Sequence, residues 1–482
     1  MPTEKKIAYA ALDIGTSQLK LGVYCPWLSD SIILINNLSN ELIYGSSGAV
    51  LADYKLVREK SFALFMQLGV FLKTNKIDEF YLGICGHISS LLEWQKNKAA
   101  PLEDTFPTWL DTTCYGSLDE YNSIMGNGKS KEIIGTFLPA GTNWLFTKLL
   151  HRKQTGFSKD SIFLQVSDAI FYELTGEYET HFSSQLSMVN LHKREYAVEL
   201  LDHLGLNKLS LPLISYNSLP VSESLKTLFG FPDKSFVFPA MADLYTSLYG
   251  LRLQDKEGFM LANTSEQAGA FYLTKPKTLD NFLSISFDPG YINYGSTNTG
   301  GNIVQWFIST VLSKKLTPEI LNELTMKAAS IEPKDTPIIL PYLQGERAPL
   351  WNSKLTASVL ELNSSHMEAH LFRAVLESIA FARRQCFEQL GIDDLQLIKI
   401  AGGSSKNALW NSIRATVLNK PLAVAHEKEL SMAGIIYYIM AAKESEFAKP
   451  AIKFSTIKPD QDLKNVYDEK YNKFIHYQKI LS

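Results

Sequence analysis

The sequence predicts an α/β protein, and three observations carry that expectation. Two strand–turn–strand segments, at 7–24 and 259–273, hold small and hydroxyl residues in their turns; between and beyond them, apolar residues recur at helical spacing; and short apolar runs such as 79–85 separate those stretches. The chain has 482 residues, 45% hydrophobic and 20% charged, with four cysteines, which excludes a collagen, a disulfide scaffold and a disordered tail. That length calls for two or three packed units, each able to bury a core.

The first segment reads strand at 7–12, turn at 13–17 and strand at 19–23, where Leu19, Leu21 and Val23 alternate with Lys20, Gly22 and Tyr24. Helices are expected around 61–73, 143–152 and 196–204, with a strand at 79–85. The second hairpin follows at 259–262 and 268–273. Residues 366–390 carry Leu371, Val375, Ile379, Ala382, Cys386 and Leu390 on one stripe, which marks a long amphipathic helix. A strand at 397–401, a break at Gly402 and Gly403 and a helix at 407–418 complete a strand–turn–helix unit. Beyond about 446 the chain is charged and contains prolines, as a terminal extension would.

Charge and cysteine usage narrow the partners. The net charge is −3, from 47 basic and 50 acidic residues without a long run of either sign, so neither nucleic acid nor an anionic membrane has an electrostatic footprint here. A small molecule is the expected partner. Cys25, Cys85, Cys114 and Cys386 lie far apart with no metal-ligand spacing, as reduced thiols do. Residues 1–6 are polar with no apolar leader core, and the most apolar stretch, 433–442, is too short to span a bilayer, so a cytoplasmic protein is expected.

Within the run at 126–130, Gly128, Lys129 and Ser130 mimic the end of a P-loop, but Ser123 stands where its first glycine belongs and no apolar strand precedes it. The run Asp13, Ile14, Gly15, Thr16, Ser17 is more informative. A glycine turn between strands offers inward N–H groups and small hydroxyls to a polyphosphate, and Asp13 beside it suits a hydrated Mg²⁺; an Asx-type hairpin turn fits the same residues. Thr264 and Ser265 provide hydroxyls in the second hairpin. Gly402 and Gly403 let a flat ring approach the backbone, and Asn407 either caps the next helix or bonds a base. Asp243, in a run of small and apolar residues, is either an N-cap or a base for a hydroxyl proton.

Laid end to end, these segments resemble the FGGY carbohydrate kinases from about residue 8 to about residue 442. Asp13 to Ser17 is similar to the family's first phosphate motif, Asp243 stands where its catalytic aspartate stands, and Asn263, Thr264 and Ser265 take the place of its G-T-S turn. Residues 341–349 read Pro-Tyr-Leu-Gln-Gly-Glu-Arg-Ala-Pro, residues 370–377 read His-Leu-Phe-Arg-Ala-Val-Leu-Glu, and Gly402, Gly403 and Asn407 match the adenosine motif. The resemblance implies two actin-like (ribonuclease-H-like) lobes with ATP and sugar in the cleft between them, a lobe boundary near Gly250, and lobes at 1–249 and 250–445 followed by an extension at 446–482.

It further implies transfer of the γ-phosphoryl group of MgATP to a sugar hydroxyl. Asp243 would act as base, Asp13 and Asp243 would hold Mg²⁺, and Gly15, Thr16, Ser17, Lys20, Thr264, Ser265 and Gly301 would hold the phosphates. For the sugar, His87 and Ser89 replace the outer members of the family's Q-M-H or Q-R-E triplet, while Trp109 and Asp111 match its T-W-x-D stretch as an apolar wall and a polar contact. His181 replaces a common Asp, and Asn263 a common Gly. The pieces at 243–249, 263–267 and 298–304 resemble sedoheptulokinases more than xylulokinases, so a ketose is expected, and a homodimer with it. Arg347 is expected to support its loop rather than touch ligand, paired with Glu346. A catalytically silent relative would bind ligand without sugar-dependent ADP release, and an actin- or chaperone-like ATPase would turn over ATP without sugar.

Overall fold

The computed structural model describes residues 5–427 and 429–481. Residues 1–4, part of the polar start noted above, lie outside the described residues. The chain forms two compact units, Met1–Arg252 with Glu429–Ala451, and Leu253–Lys428 with Ile452–Ser482. A linear division near Gly250 therefore omits one feature: the chain returns to the first unit at 429–451.

The first unit is built on a seven-stranded sheet in the order Leu219–Pro220, Lys234–Val237, Glu79–Gly86, Ile7–Ile14, Gln18–Tyr24, Ile33–Ser39, with Met241–Ala242 also pairing with Glu79–Gly86. Ile7–Ile14 is central, antiparallel to Gln18–Tyr24 and parallel to Glu79–Gly86. Its near-continuous apolar run suits a strand covered on both faces, and Ala8, Ala10, Ala11, Leu12 and Ile14 are fully buried. The strand runs to Ile14, two residues beyond the expected end, because Asp13 stays in register opposite Lys20 and Cys85. The adjacent helix Tyr54–Thr74 is longer than the pattern at 61–73 predicts; Asp53 caps it by accepting from the Leu56 N–H.

Helix Leu430–Ala442 is the apolar stretch noted in the sequence. A helix apolar all round belongs in a core, and this one packs on Ile7–Ile14, on Glu79–Gly86 and on helix Asp243–Leu251. The last contact depends on glycine: a Cβ on Gly434 would lie 1.7 Å from the Thr246 carbonyl oxygen, and one on Gly250 would lie 2.4 Å from that of Leu430. Gly434→Ala is expected to cost about 3 kcal/mol by forcing the two helices apart, seen as a lower urea midpoint; an unchanged midpoint would contradict the close approach. Among the described residues no helix is long and apolar enough to cross a membrane.

The second unit repeats the hairpin-plus-parallel-strand theme in a sheet ordered Leu283–Phe287, Gly290–Ser296, Glu266–Tyr272, Glu257–Ala262, Leu397–Ala401, Leu422–Ala425, Phe454–Ile457. Glu257–Ala262 pairs antiparallel with Glu266–Tyr272 and parallel with Leu397–Ala401. Helices Glu368–Gln389 and Ala408–Leu418 fall where the periodicity predicts. The terminal stretch does more than extend the chain. Phe454–Ile457 forms the sheet edge, and Lys464–Leu481 buries Tyr467, Tyr471 and Phe474 in the core. Its Lys470 reaches Glu377 at 2.7 Å, where Arg373 also pairs at 3.0 Å.

Candidate active site

In the first unit three parallel neighbours, Ile7–Ile14, Glu79–Gly86 and Met241–Ala242, end together: Asp13 lies beside Cys85, and Ala242 beside Gly86. Carboxyl ends of adjacent parallel strands are where open α/β sheets take ligands. Asp243 follows as the first residue of helix Asp243–Leu251, and its Oδ1 accepts from the Leu244 N–H at 2.6 Å. Burial, and then the charge of Asp13, push the Asp243 carboxyl up to about 7. Burial raises Asp13 as well, opposed by the hydroxyl of Ser431, which donates to its Oδ2 at 2.6 Å. Two mutually repelling carboxyls at strand ends fit a divalent cation. An ion that keeps its waters and takes one or two carboxylates suits such a pair; among the described residues no group of three or more His, Cys, Asp or Glu is gathered for a metal.

The turn after Asp13 is tight. The Gly15 N–H donates to the Gln18 carbonyl at 2.9 Å, and a Cβ on Gly15 would crowd that same oxygen. Thr16 and Ser17 sit at its tip, Ser17 exposed. Lys20, expected on phosphate, forms an ion pair with Glu429 at 2.8 Å. Trp109, expected as an apolar wall, is 39% exposed and its indole N–H donates to Thr16 Oγ1 at 2.9 Å, so it braces the turn.

Asp111 is placed otherwise than as a sugar contact. Its carboxylate accepts from the Val50 N–H at 2.9 Å and from both the N–H and the hydroxyl of Thr113, which closes the loop on itself. His87 and Ser89 are buried at the end of Glu79–Gly86, Ser89 with a φ of 64°. His87 Nδ1 has no hydrogen-bond partner among the described residues. Burial lowers its pKa to about 4, so the imidazole is neutral.

In the second unit the Asn263–Ser265 turn, Gly301 and the glycine pair are tied together by Asn263. Its carbonyl accepts from the Gly301 N–H at 2.9 Å, its Oδ1 from the Gly403 N–H at 3.3 Å, and the Thr264 carbonyl from the Asn302 N–H at 2.9 Å. The Asn that stands in place of a Gly is thus a brace. Gly402 has a φ of 110°, and a Cβ there would lie 2.6 Å from the Ala262 carbonyl oxygen; a Cβ on Gly403 would meet nothing within 4 Å, which leaves an open backbone face. Asn407 caps its helix by accepting from the Trp410 N–H at 3.0 Å, and its amide donates to Thr325 at 2.8 Å, so both ends of the side chain have internal partners. Arg347 supports its loop, as expected, by donating to the Thr297 carbonyl at 2.7 Å. Its neighbour Glu346 pairs instead with Arg383, at 3.5 Å.

Sequence reasoning missed three sets of residues. Ser431 and Glu429, more than four hundred positions from Asp13 and Lys20, carry no local signal. Ser183 Oγ accepts from the Ala242 N–H at 3.1 Å, just ahead of Asp243, and bonds His181 Nδ1 at 2.8 Å. Burial lowers the His181 pKa to about 3, so it serves there as a neutral acceptor. Beneath the second turn, Glu266, Arg383 and Arg414 form a fully buried charged cluster.

Residues 8–249 match the N-terminal domain of the FGGY family of carbohydrate kinases and residues 259–442 its C-terminal domain. A glycerol kinase of Aquifex aeolicus is 23% identical over 471 residues, covering 91% of each chain. A xylulose kinase from Rhodospirillum rubrum superposes with a TM-score of 0.86 at 18% identity, covering 98% of this chain and 99% of the other. A gluconate kinase from Lactobacillus acidophilus gives 0.85 at 19% identity, covering 99% and 98%. A glycerol kinase of Plasmodium falciparum, solved with ADP, gives 0.80 at 18%, covering 98% of each.

Proposed function

The chain belongs to the FGGY family of carbohydrate kinases, a family of ATP-dependent sugar kinases with the actin-like α/β fold, and from that premise we propose that it phosphorylates a hydroxyl of a ketose, sedoheptulose ahead of xylulose, with Asp243 as general base. The observation that supports the reading is the Asp243 carboxyl, pushed up to about 7 by burial and by Asp13. A base is most effective when its pKa lies near the working pH.

Mg²⁺ on the triphosphate supplies charge neutralisation of the phosphate oxygens during transfer. The chain's own residues do the rest. Asp13 and Asp243 would hold the ion through its waters, and the Thr16 and Ser17 hydroxyls, with the Gly15–Ser17 backbone, would face phosphate oxygens. As the sugar oxygen attacks the γ-phosphorus, its proton passes to Asp243, and the bond to the bridging oxygen breaks to release ADP. His87 Nδ1 would take a hydrogen bond from a sugar hydroxyl in place of the triplet's Gln. In the second unit Gly402 and Gly403 would let the flat base approach the backbone, and Thr264 and Ser265 would offer hydroxyls to phosphate.

Support for sedoheptulose comes from sequence likeness at 243–249, 263–267 and 298–304; the named relatives act on glycerol, xylulose and gluconate. A coupled ADP-release assay across three- to seven-carbon ketoses and polyols is expected to give the highest kcat/KM with the seven-carbon ketose. A maximum with a polyol would reverse the substrate assignment, and ADP release independent of every sugar would sink the kinase reading.

A further inference from the structure

Asp243 leaves the sheet on a short support. The strand before it, Met241–Ala242, is two residues long and pairs, among the described residues, with Glu79–Gly86 alone, Met241 beside Cys85 and Ala242 beside Gly86. Ala242 is also the N-cap of helix Asp243–Leu251, and its methyl cannot bond the first turn. A second segment, 181–184, holds this strand and the residues that lead into it. The Ala240 carbonyl accepts from the His181 N–H at 3.1 Å and from the Ser184 hydroxyl at 2.8 Å, and the Ala242 N–H donates to Ser183 Oγ at 3.1 Å. Ser183 is fixed in turn by His181, and both are buried. The Ser183 N–H donates to His181 Nδ1 at 3.2 Å, so that nitrogen carries no proton, and the Ser183 hydroxyl donates to it at 2.8 Å. The imidazole is also packed against Tyr245, on the helix that begins with Asp243, with ring centres 5.4 Å apart, and against Tyr216 at 5.3 Å.

We propose that Ser183 and His181 are positioning residues for the general base: together they fix the Ala242 backbone, and with it the direction in which the Asp243 carboxyl meets the sugar hydroxyl. This role rests on the reading of Asp243 as base and adds the means by which the fold aims it. Asp243 follows directly on the bonded Ala242 N–H, so a shift of that peptide turns the carboxyl. A base must stand within hydrogen-bond reach of the proton it takes, and a misplacement of about 1 Å costs about 10²-fold in rate. His181 acts in two ways: its nitrogen orders Ser183, and its ring packs on Tyr245. Substitution separates them. Phe keeps a ring without the nitrogen, whereas Asn keeps an acceptor at the same N-cap position without the ring.

Steady-state kinetics on the full chain, with MgATP and the wild type's best substrate among sedoheptulose, xylulose, gluconate and glycerol, test the role. Ser183→Ala and His181→Phe are each expected to lower kcat about 10²-fold while KM for that substrate stays within about threefold, and His181→Asn to keep kcat within about fivefold of wild type. In an Asp243→Asn background Ser183→Ala should lower kcat no further, because the carboxyl it aims is gone. A ligand-free crystal structure of His181→Phe should show the Asp243 carboxyl displaced by about 1 Å with Glu79–Gly86 unmoved. If Ser183→Ala fails to fold, the two His181 variants and the structure carry the test. Unchanged kcat in His181→Phe, an equal loss in His181→Asn, an unmoved carboxyl, or a full additional loss in the Asp243→Asn background would overturn the positioning role. Near-normal kcat in Asp243→Asn alone would instead remove the base reading beneath it, so the two failures are told apart.

Discussion

Asp243→Asn is expected to lower kcat about 10³-fold and, at the same time, to stabilise the protein above neutral pH. The two effects share one cause. Burial first, and the Asp13 charge second, raise the Asp243 carboxyl to about 7 from an ordinary carboxylate value near 3.8. A group raised in the folded state contributes stability that is complete below the unfolded pKa and is lost as pH climbs through the folded one. At about pH 8 the wild-type chain therefore carries a charged carboxylate that its surroundings disfavour, and the neutral amide relieves it. For a partly exposed side chain the gain is about 1–2 kcal/mol, and it shrinks toward zero as pH falls to about 4. In the active protein the same titration should appear as an acid limb in kcat/KM, with activity rising as Asp243 loses its proton. Steady-state kinetics and thermal unfolding from about pH 4 to 8 read both effects; a variant with near-normal kcat would remove Asp243 from the reaction.

The fold was legible where the periodicity was local. The two hairpins, the strand at 79–85 and the helix at 366–390 all stand where alternation and the helical stripe put them, because each pattern reflects burial against its own sheet. The turn that follows Asp13 was legible for the same reason: glycine and hydroxyl residues between two strands have few other uses. What stayed hidden depends on long-range contact. Leu430–Ala442 is uniformly apolar, so it shows no face, and nothing in it reveals that Gly434 must touch Thr246 or that Ser431 and Glu429 engage Asp13 and Lys20. Asp111 was recognised but not in its task, since a motif names residue types without naming which hydrogen bonds the fold completes internally. The terminal stretch after 446 looked idle because its apolar residues are few and widely spaced, yet Tyr467, Tyr471 and Phe474 form one buried stripe of Lys464–Leu481.

The buried charges beneath the second turn are the strongest case of such hidden structure, and Glu266→Ala should be the most damaging substitution for stability. Glu266, Arg383 and Arg414 are each 0% exposed. Glu266 pairs with Arg414 through one oxygen and lies 3.6 Å from Arg383 through the other, while Arg383 also approaches Glu346 at 3.5 Å and donates to Thr299 at 2.6 Å. Two carboxylates thus face two guanidiniums. Deleting one carboxylate leaves a net buried positive charge, which costs about 3–5 kcal/mol, measurable as a large drop in urea midpoint. The double variant Glu266→Ala with Arg414→Met restores the charge balance between Arg383 and Glu346, so it should be more stable than the single variant. Stability and ligand geometry then part company. Arg414 also donates to Ser404 Oγ at 3.0 Å, and Ser404 bonds the Ala262 carbonyl at 3.0 Å, which fixes the glycine pair beside the second turn. With that tie gone, the double variant should keep a raised KM for ATP despite its recovered fold. Recovery of stability together with a wild-type KM would mean that the cluster serves packing alone.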